Sequence, residues 1–384
     1  MMEVEPAPGS EDIWLSRSMD EGFMGAALAL GLRNLGRTWP NPSVGAVVVA
    51  QTGDGPQIIA EGMTAQGGRP HAERIALDEA GTRARGATLY VTLEPCAHHG
   101  RTAPCVDAVI AAGVKRVVAG ILDPDLRVAG QGFARLREAG IAVDIGILAD
   151  EARRLHRGHL RRVVENRPDI ILKLARTRDG YAASLAEKRL IITGQAANAR
   201  VHMMRSHADA ILIGVRTANA DNPRLDVRLP GMESRSPVRV IFDSSLRIRP
   251  DLHLVETADE KATWVIAAAD AAIENEKALV AKGVEVLRVD RAPGGHLCAA
   301  QAMRRLAECG ISSVLCEGGP TLAAELAKQG LIDEAVLVTG DKELGSVGLP
   351  ALLAPLDRLL QEEFILKGEE HAGNDVFAFH ERKE

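Results

Sequence analysis

The chain has 384 residues, of which 46% are hydrophobic and 26% charged, and its formal net charge is −6. That length predicts two domains, each able to bury a core of its own, and that composition excludes a disordered chain. The acidic balance, with no Arg/Lys-rich run set against it, speaks against generic nucleic-acid binding.

In chain order, residues 1–16 open on the acidic MMEVEPAPGSED, which lacks the positive and apolar regions of a signal peptide and reads as a disordered tail. SRSMDEGFMGAALALGLRNLGR then sets Met19, Phe23, Leu28 and Leu30 on one side of an amphipathic helix. Strand-type runs at 44–50 and 57–62 flank the turn-forming QTGDGP. Next come a helix over 71–80, a strand over 87–93, a helix after Pro104, a strand over 114–121, a helix after Gly130 and a strand over 141–147. The alternation predicts a first domain over 17–147, a helix-covered sheet of about five strands. A second domain is assigned to 148–384, starting with the charged helical stretch 149–168. Its strands are expected at 169–175, 208–214, 237–243, 263–268, 283–289 and 334–340, its helices at 194–207 and 296–308, and a strand-turn-helix at 312–330. Nothing reads as a membrane span. Five cysteines, an odd number without an export signal, predict reduced thiols and a cytoplasmic protein.

Two stretches carry chemistry in the first domain. RPHAER (69–74) holds His71 and Glu73, and LEPCAHHGRTAPC (93–105) holds Cys96 and Cys105. One imidazole and two thiolates give zinc three protein ligands and leave a fourth position open, the mark of a catalytic site. Zinc lowers the pKa of a water in that position, and a non-ligand carboxylate two residues from the histidine can carry its proton to a leaving amine. The pairing of HAE with PC is the half-signature of zinc nucleobase deaminases, although their usual C-x-x-C is here widened to eight intervening residues. That insertion offers His98, His99, Arg101 and Thr102 as donors for a polar substrate tail. Asn41, in the turn WPNP, reads equally as an amide facing a heterocycle or as an ordinary turn residue. Cys298, Cys309 and Cys316 read as core.

PNPSVGAVVV, HAE, YVTLEPCAHHGRTAPC, AGVKRVV and VAGQGFARLREAGI resemble the bifunctional riboflavin-biosynthesis deaminase/reductase family. The resemblance implies a cytidine-deaminase-like α/β/α domain that deaminates 2,5-diamino-6-ribosylamino-4(3H)-pyrimidinone 5′-phosphate. It implies zinc on His71, Cys96 and Cys105, Glu73 as proton shuttle, and substrate contacts from Asn41 and the 98–102 loop. Trp39 stands where the family usually has His, and DPDLRV replaces a more usual Asp-Pro-Asn-Pro.

In the second domain, SSVLCEGGPTLAAEL reads as a strand, a Gly318-Gly319 turn and a helix opened by Pro320 and Thr321, whose amides favour anions. It lacks the G-x-G-x-x-G dinucleotide fingerprint. Lys173 lies in a strand, and TANADNPRLDVR (217–228) reads as a polar loop after a strand, where open α/β sheets bind ligands. ILIGVRTANADNPRLDVR and EGGPTLAAELAKQGLIDE resemble the reductase half of the same family, a dihydrofolate-reductase-like α/β domain using NADPH to open the ribosyl group to ribityl. Carried over, Thr217, Asp221, Gly319, Pro320 and Thr321 face the cofactor, while Lys173, Arg205, Leu225, Arg228 and Glu317 face the substrate. Arg189 and Ile191 depart from the family's Ser and Trp, as Thr177 and Arg178 do from a Ser and an apolar residue. The resemblance also implies a homo-oligomer. Two alternatives stand beside it: a nucleoside or tRNA deaminase with an unrelated appendage, and a deaminase whose second half is a non-catalytic binding or oligomerisation module.

Overall fold

The computed structural model describes residues 10–98, 100, 103–125, 129–185 and 190–383, with side chains described from Arg17 onward. Its contacts divide into two compact units, 1–165 and 166–384.

The first unit runs α1 (Ser10–Arg33), β1 (Gly45–Thr52), β2 (Gly55–Met63), α2 (Ala72–Ala80), β3 (Thr88–Leu93), α3 (Cys105–Ala112), β4 (Arg116–Ile121), α4 (Gln131–Glu138), β5 (Ala142–Ile145) and α5 (Ala149–Glu165). Its sheet has the expected five strands, ordered β2-β1-β3-β4-β5, with β1 antiparallel to both neighbours and β3, β4 and β5 parallel. All six residues of β3 are buried, as a strand covered on both faces must be. Gly62 lets α2 begin directly on β2: a Cβ there would stand 2.1 Å from the Ala72 carbonyl oxygen. That contact fixes where the helix carrying Glu73 starts.

Two boundaries differ from expectation. Helix α1 starts at Ser10, inside the stretch assigned to the tail. The first unit continues past 147 to Glu165, because α5 belongs to its core. Ala152, Leu155, His156 and His159 form a buried stripe at helical spacing, which the eight charged residues of ADEARRLHRGHLRRVVE conceal in the sequence. His156 Nε2 lies 2.9 Å from Thr92 Oγ1 on β3, and His159 Nε2 lies 3.1 Å from Asp123 Oδ1 after β4.

The second unit runs β6 (Asp169–Arg176), β7 (Tyr181–Ser184), α6 (Gln195–Ser206), β8 (Ala210–Gly214), α7 (Val215–Asp221), β9 (Val238–Phe242), α8 (His253–Glu256), β10 (Thr263–Ala268), α9 (Ile273–Val280), β11 (Glu285–Val289), α10 (Ala299–Glu308), β12 (Ser313–Cys316), α11 (Pro320–Lys328), β13 (Glu334–Thr339), β14 (Gly348–Pro350), α12 (Ala354–Glu363), β15 (Phe364–Ala372) and β16 (Asp375–Arg382). The large sheet is ordered β11-β10-β9-β8-β12-β6-β13-β16-β15, parallel through β13 and closed by an antiparallel hairpin. Strands β7 and β14 pair separately. From β8 the chain builds outward through β9, β10 and β11, then returns as β12 on the other flank of β8. The order therefore reverses between β8 and β12, the place where open α/β sheets form a ligand crevice. The start of the polar stretch at 217 is helical, within α7, and only the part after Asp221 is a loop.

Candidate active sites

His71 caps the N-terminus of α2, Cys105 is the first residue of α3, and Cys96 lies three residues beyond β3. His71 Nδ1 is 3.7 Å from Cys96 Sγ and 3.3 Å from Cys105 Sγ, and the three donor atoms all fall within 4.8 Å of one another. Tetrahedral zinc, with bonds of ~2.0–2.1 Å to nitrogen and ~2.3 Å to sulfur, sets such a nitrogen and sulfur ~3.6 Å apart. The residues therefore fit the metal. The Cys105 thiol and its backbone N–H, the latter 3.3 Å from Cys96 Sγ, hold Cys96 down to about 4, and the same pairing pushes the Cys105 thiol up. Glu73 is 3% exposed, and burial raises its carboxyl above the usual range.

Around this centre, Asn41 Nδ2 donates to the Gly68 carbonyl at 2.7 Å, tying the WPNP turn to the segment that enters His71. Gly68 has φ +85°, and a Cβ there would lie 2.8 Å from Asn41 Nδ2, so a side chain would break this joint. His98 is partly buried, and its Nδ1 has no hydrogen-bond partner among the described residues. His99, Arg101 and Thr102 lie outside the described residues, as does Arg189 in the other unit.

Glu94, two residues before Cys96, had no role in the sequence reading. Its buried carboxylate accepts from the backbone N–H groups of Asp123 (3.3 Å), Gly130 (3.0 Å), Gly132 (3.0 Å) and Phe133 (3.3 Å). It joins the end of β3 to the start of α4 and so braces the turn that presents Cys96. The signal available was an acid at a strand end ahead of the glycine-rich helix start GQG.

In the second unit, parallel pairing of β12 with β6 sets Cys316 beside Leu172, and so brings Glu317 next to Lys173. Arg205, from α6, meets Glu317 at two points, Nε to Oε1 at 2.6 Å and Nη2 to Oε2 at 2.9 Å, and its Nη1 donates to the Asp226 carbonyl at 3.0 Å. Burial pushes the partly exposed Lys173 ammonium below its ordinary range while Glu317 opposes the shift. Despite its own burial, Glu317 is held low by Arg205 and Lys173. Leu225 is buried at φ +51°, and the Arg228 N–H donates to His202 Nδ1 at 3.2 Å. Across the order reversal, a Cβ on Gly319 would approach Thr217 Oγ1 at 3.7 Å. Asp221 ends α7 exposed, and Pro320 and Thr321 open α11.

Thr177 Oγ1 accepts the Tyr181 N–H at 2.9 Å, a turn role, and Ile191 is exposed. Of the three cysteines expected in the core only Cys316 is buried. Cys298 and Cys309 flank α10 and are partly exposed, because a helix end faces solvent on one side.

Fold and sites define a metal-dependent deaminase unit joined to a parallel-sheet unit with a charged crevice at its order reversal. The model for the cytidine and deoxycytidylate deaminase zinc-binding region matches residues 17–121, and that for the RibD C-terminal domain matches 168–377. The riboflavin biosynthesis protein RibD of Aquifex aeolicus is 41% identical over 86% of this chain and 89% of its own length. That of Escherichia coli K12 is 40% identical over 93% and 98%. The solved structure of Acinetobacter baumannii RibD matches with a TM-score of 0.83 at 34% identity, over 96% of this chain and 100% of its own. A Thermotoga maritima structure, a diaminohydroxyphosphoribosylaminopyrimidine deaminase/5-amino-6-(5-phosphoribosylamino)uracil reductase, matches with a TM-score of 0.81 over the same shares. The chain belongs to the RibD family of riboflavin biosynthesis proteins and is an enzyme with a deaminase domain and a reductase domain. The family match across 168–377 disfavours both an unrelated appendage and a non-catalytic module.

Proposed function

We propose that the first unit hydrolyses the amino group from 2,5-diamino-6-ribosylamino-4(3H)-pyrimidinone 5′-phosphate. The second unit then uses NADPH to reduce the ribosyl group, giving 5-amino-6-(5-phosphoribitylamino)uracil. The observation that carries the reading is the convergence of His71 Nδ1 and the two cysteine sulfurs beside buried Glu73, in a chain whose second half carries the RibD C-terminal domain.

His71, Cys96 and Cys105 would hold zinc, which supplies an activated water when bound. Glu73 takes a proton at its carboxylate and hands it to the leaving amine; its buried setting favours the proton-bearing form needed in the second half of that exchange. Asn41 and His98, with His99, Arg101 and Thr102, orient the pyrimidine and its polar tail.

NADPH supplies the hydride in the second unit, so the protein has to place donor and acceptor. Thr217, Asp221 and the Gly319–Thr321 turn would receive the cofactor at the order reversal. Lys173, Arg205, Leu225, Arg228 and Glu317 would hold the sugar phosphate, with the Arg205–Glu317 pair keeping one arginine from swinging. The protein works in the cytoplasm as a homo-oligomer on this reading.

The test is to give the purified protein the diaminopyrimidinone phosphate with and without NADPH, following ammonia and NADPH absorbance. Ammonia without NADPH, followed by oxidation only once NADPH is added, is the expected result. Ammonia with no oxidation at any NADPH concentration overturns the second half of the reading.

A further inference from the structure

Next to Arg205 lies a carboxylate that the roles above leave unused. Asp226 is buried, its side chain 2% exposed, yet three cations reach it: Arg224 Nε at 3.2 Å, Arg228 Nη1 at 2.5 Å and Lys261 Nζ at 3.0 Å. These cations are not buried with it. The side chains of Arg224, Arg228 and Lys261 are 56%, 48% and 31% exposed, so they form a positive rim around a negative floor. Three positive charges meet one negative charge in this group, and the surplus faces solvent.

The rim is built from two separate segments, and each is held from below. Arg205 Nη1 donates to the Asp226 carbonyl, and Val227 N–H donates to Ser236 Oγ at 3.1 Å, which sets the 224–228 segment. On the other side Arg239, fully buried on β9, donates through Nη2 to the Lys261 carbonyl at 2.7 Å and to Thr257 O at 2.9 Å. A buried arginine spent on backbone carbonyls fixes the position from which Lys261 projects. The rim also continues into the crevice, because Arg205, which binds the Asp226 backbone, carries Glu317, and Glu317 neighbours Lys173.

We propose that Asp226 is a positioning residue that holds Arg224, Arg228 and Lys261 as an anion-accepting rim, and that this rim takes the phosphomonoester of the reductase substrate, with Lys261 a specificity-determining contact. The inference rests on the reductase reading above and extends it to residues outside the crevice. An exposed ion pair alone contributes little, since long side chains lose entropy when held. Here the carboxylate is desolvated, so its partners are strongly drawn to it, and the entropy of ordering two arginines and a lysine is lost on folding rather than on binding. A dianionic phosphate then meets donors already in place. Burial by itself would push the Asp226 carboxyl up, but the hydrogen bonds and charges of Lys261 and Arg228 outweigh it and hold the group well below the usual carboxylate range.

The test is steady-state NADPH oxidation by the full-length enzyme and by the variants Lys261→Met and Asp226→Asn. Each is given the deaminated ribosylamino substrate with its phosphate and the same compound dephosphorylated. The wild type should prefer the phosphorylated compound. Both variants should raise KM for it at least ~10-fold, the loss expected for a charge-assisted contact, with kcat within about twofold. KM for the dephosphorylated compound should stay unchanged, and inorganic phosphate should inhibit the wild type competitively but not the variants. Lys261 is partly exposed, so its replacement reports on the rim even if Asn at the buried position weakens folding. A wild type that prefers the phosphorylated compound beside a Lys261→Met enzyme of unchanged KM overturns this inference alone. A wild type that never oxidises NADPH overturns the reductase reading, and this inference with it.

Discussion

Arg205 and Glu317, 112 residues apart in sequence, meet in a two-point ion pair at 2.6 and 2.9 Å, with both side chains nearly buried. The planar guanidinium matches the carboxylate fork, so the pair fixes the orientation of α6 against the end of β12 as well as its distance. Lys173 stands beside it on β6, and the three charges form the floor of the crevice.

Breaking that pair from one side should be costly. Glu317→Gln leaves the guanidinium facing a neutral amide in a desolvated place, a change that typically destabilises by about 3–5 kcal/mol. The expected outcome is a lower unfolding midpoint for the second unit and at least ~10-fold slower NADPH oxidation, while ammonia release is kept. A variant with unaltered oxidation kinetics removes Glu317 from the reductase site.

Glu73→Gln tests the proton carrier. Zinc content should match the wild type, since Glu73 is not among the three converging ligands. Deamination should fall by at least ~10²-fold, the low end of general acid/base contributions. Near-full activity would falsify the assignment.

Metal removal separates the two halves. Dialysis against a chelator should abolish ammonia release from the diaminopyrimidinone phosphate, and added zinc should restore it. NADPH oxidation with the deaminated compound supplied directly should persist throughout; its parallel loss would mean that the metal supports the second unit as well.

Asp221→Ala probes the cofactor side of the crevice. The variant should deaminate normally and show a higher KM for NADPH, with KM for the sugar phosphate little changed. The reverse pattern would move Asp221 to the substrate side.

His156 makes acid stability predictable. Its ring is buried against Thr92, and burial, helped by neighbouring His159, lowers its pKa from 6.5 to about 3. The folded state favours the neutral ring, so between these values the unfolded chain binds more protons. The contribution is fully present above about pH 6.5 and is lost as pH falls toward 3. Chemical unfolding of the wild type should show this loss, and His156→Gln should flatten the slope; equal slopes would show that His156 titrates freely.

Much of the first unit was legible because its signals are local. HAE and the two cysteines announce themselves by residue type and spacing, and the five strands alternate with helices in the order read. What failed there was α5, whose apolar and histidine stripe is narrow and whose arginines dominate the composition, so its membership in the first unit shows only once Leu155 and His156 are seen against the sheet. Glu94 was missed for a related reason: its partners at 123–133 are far along the chain and are backbone groups, which leave no mark on residue identity.

Across both units the division follows from the range of the signals. Residue identity and spacing alone determined that zinc-type chemistry sits at 71–105 and that a glycine-rich turn precedes a helix at 320, because metal donors and backbone close approach demand particular side chains at particular positions. The family resemblance had already grouped Lys173, Arg205 and Glu317, but only the tertiary structure decided that Asp226 and Lys261 join their neighbourhood. Any single arginine or aspartate in a soluble chain is compatible with a solvated surface. Strand order brings Glu317 beside Lys173 by placing β12 between β8 and β6, Arg205 reaches that pair from α6, and Asp226 gathers Lys261 from the segment before β10.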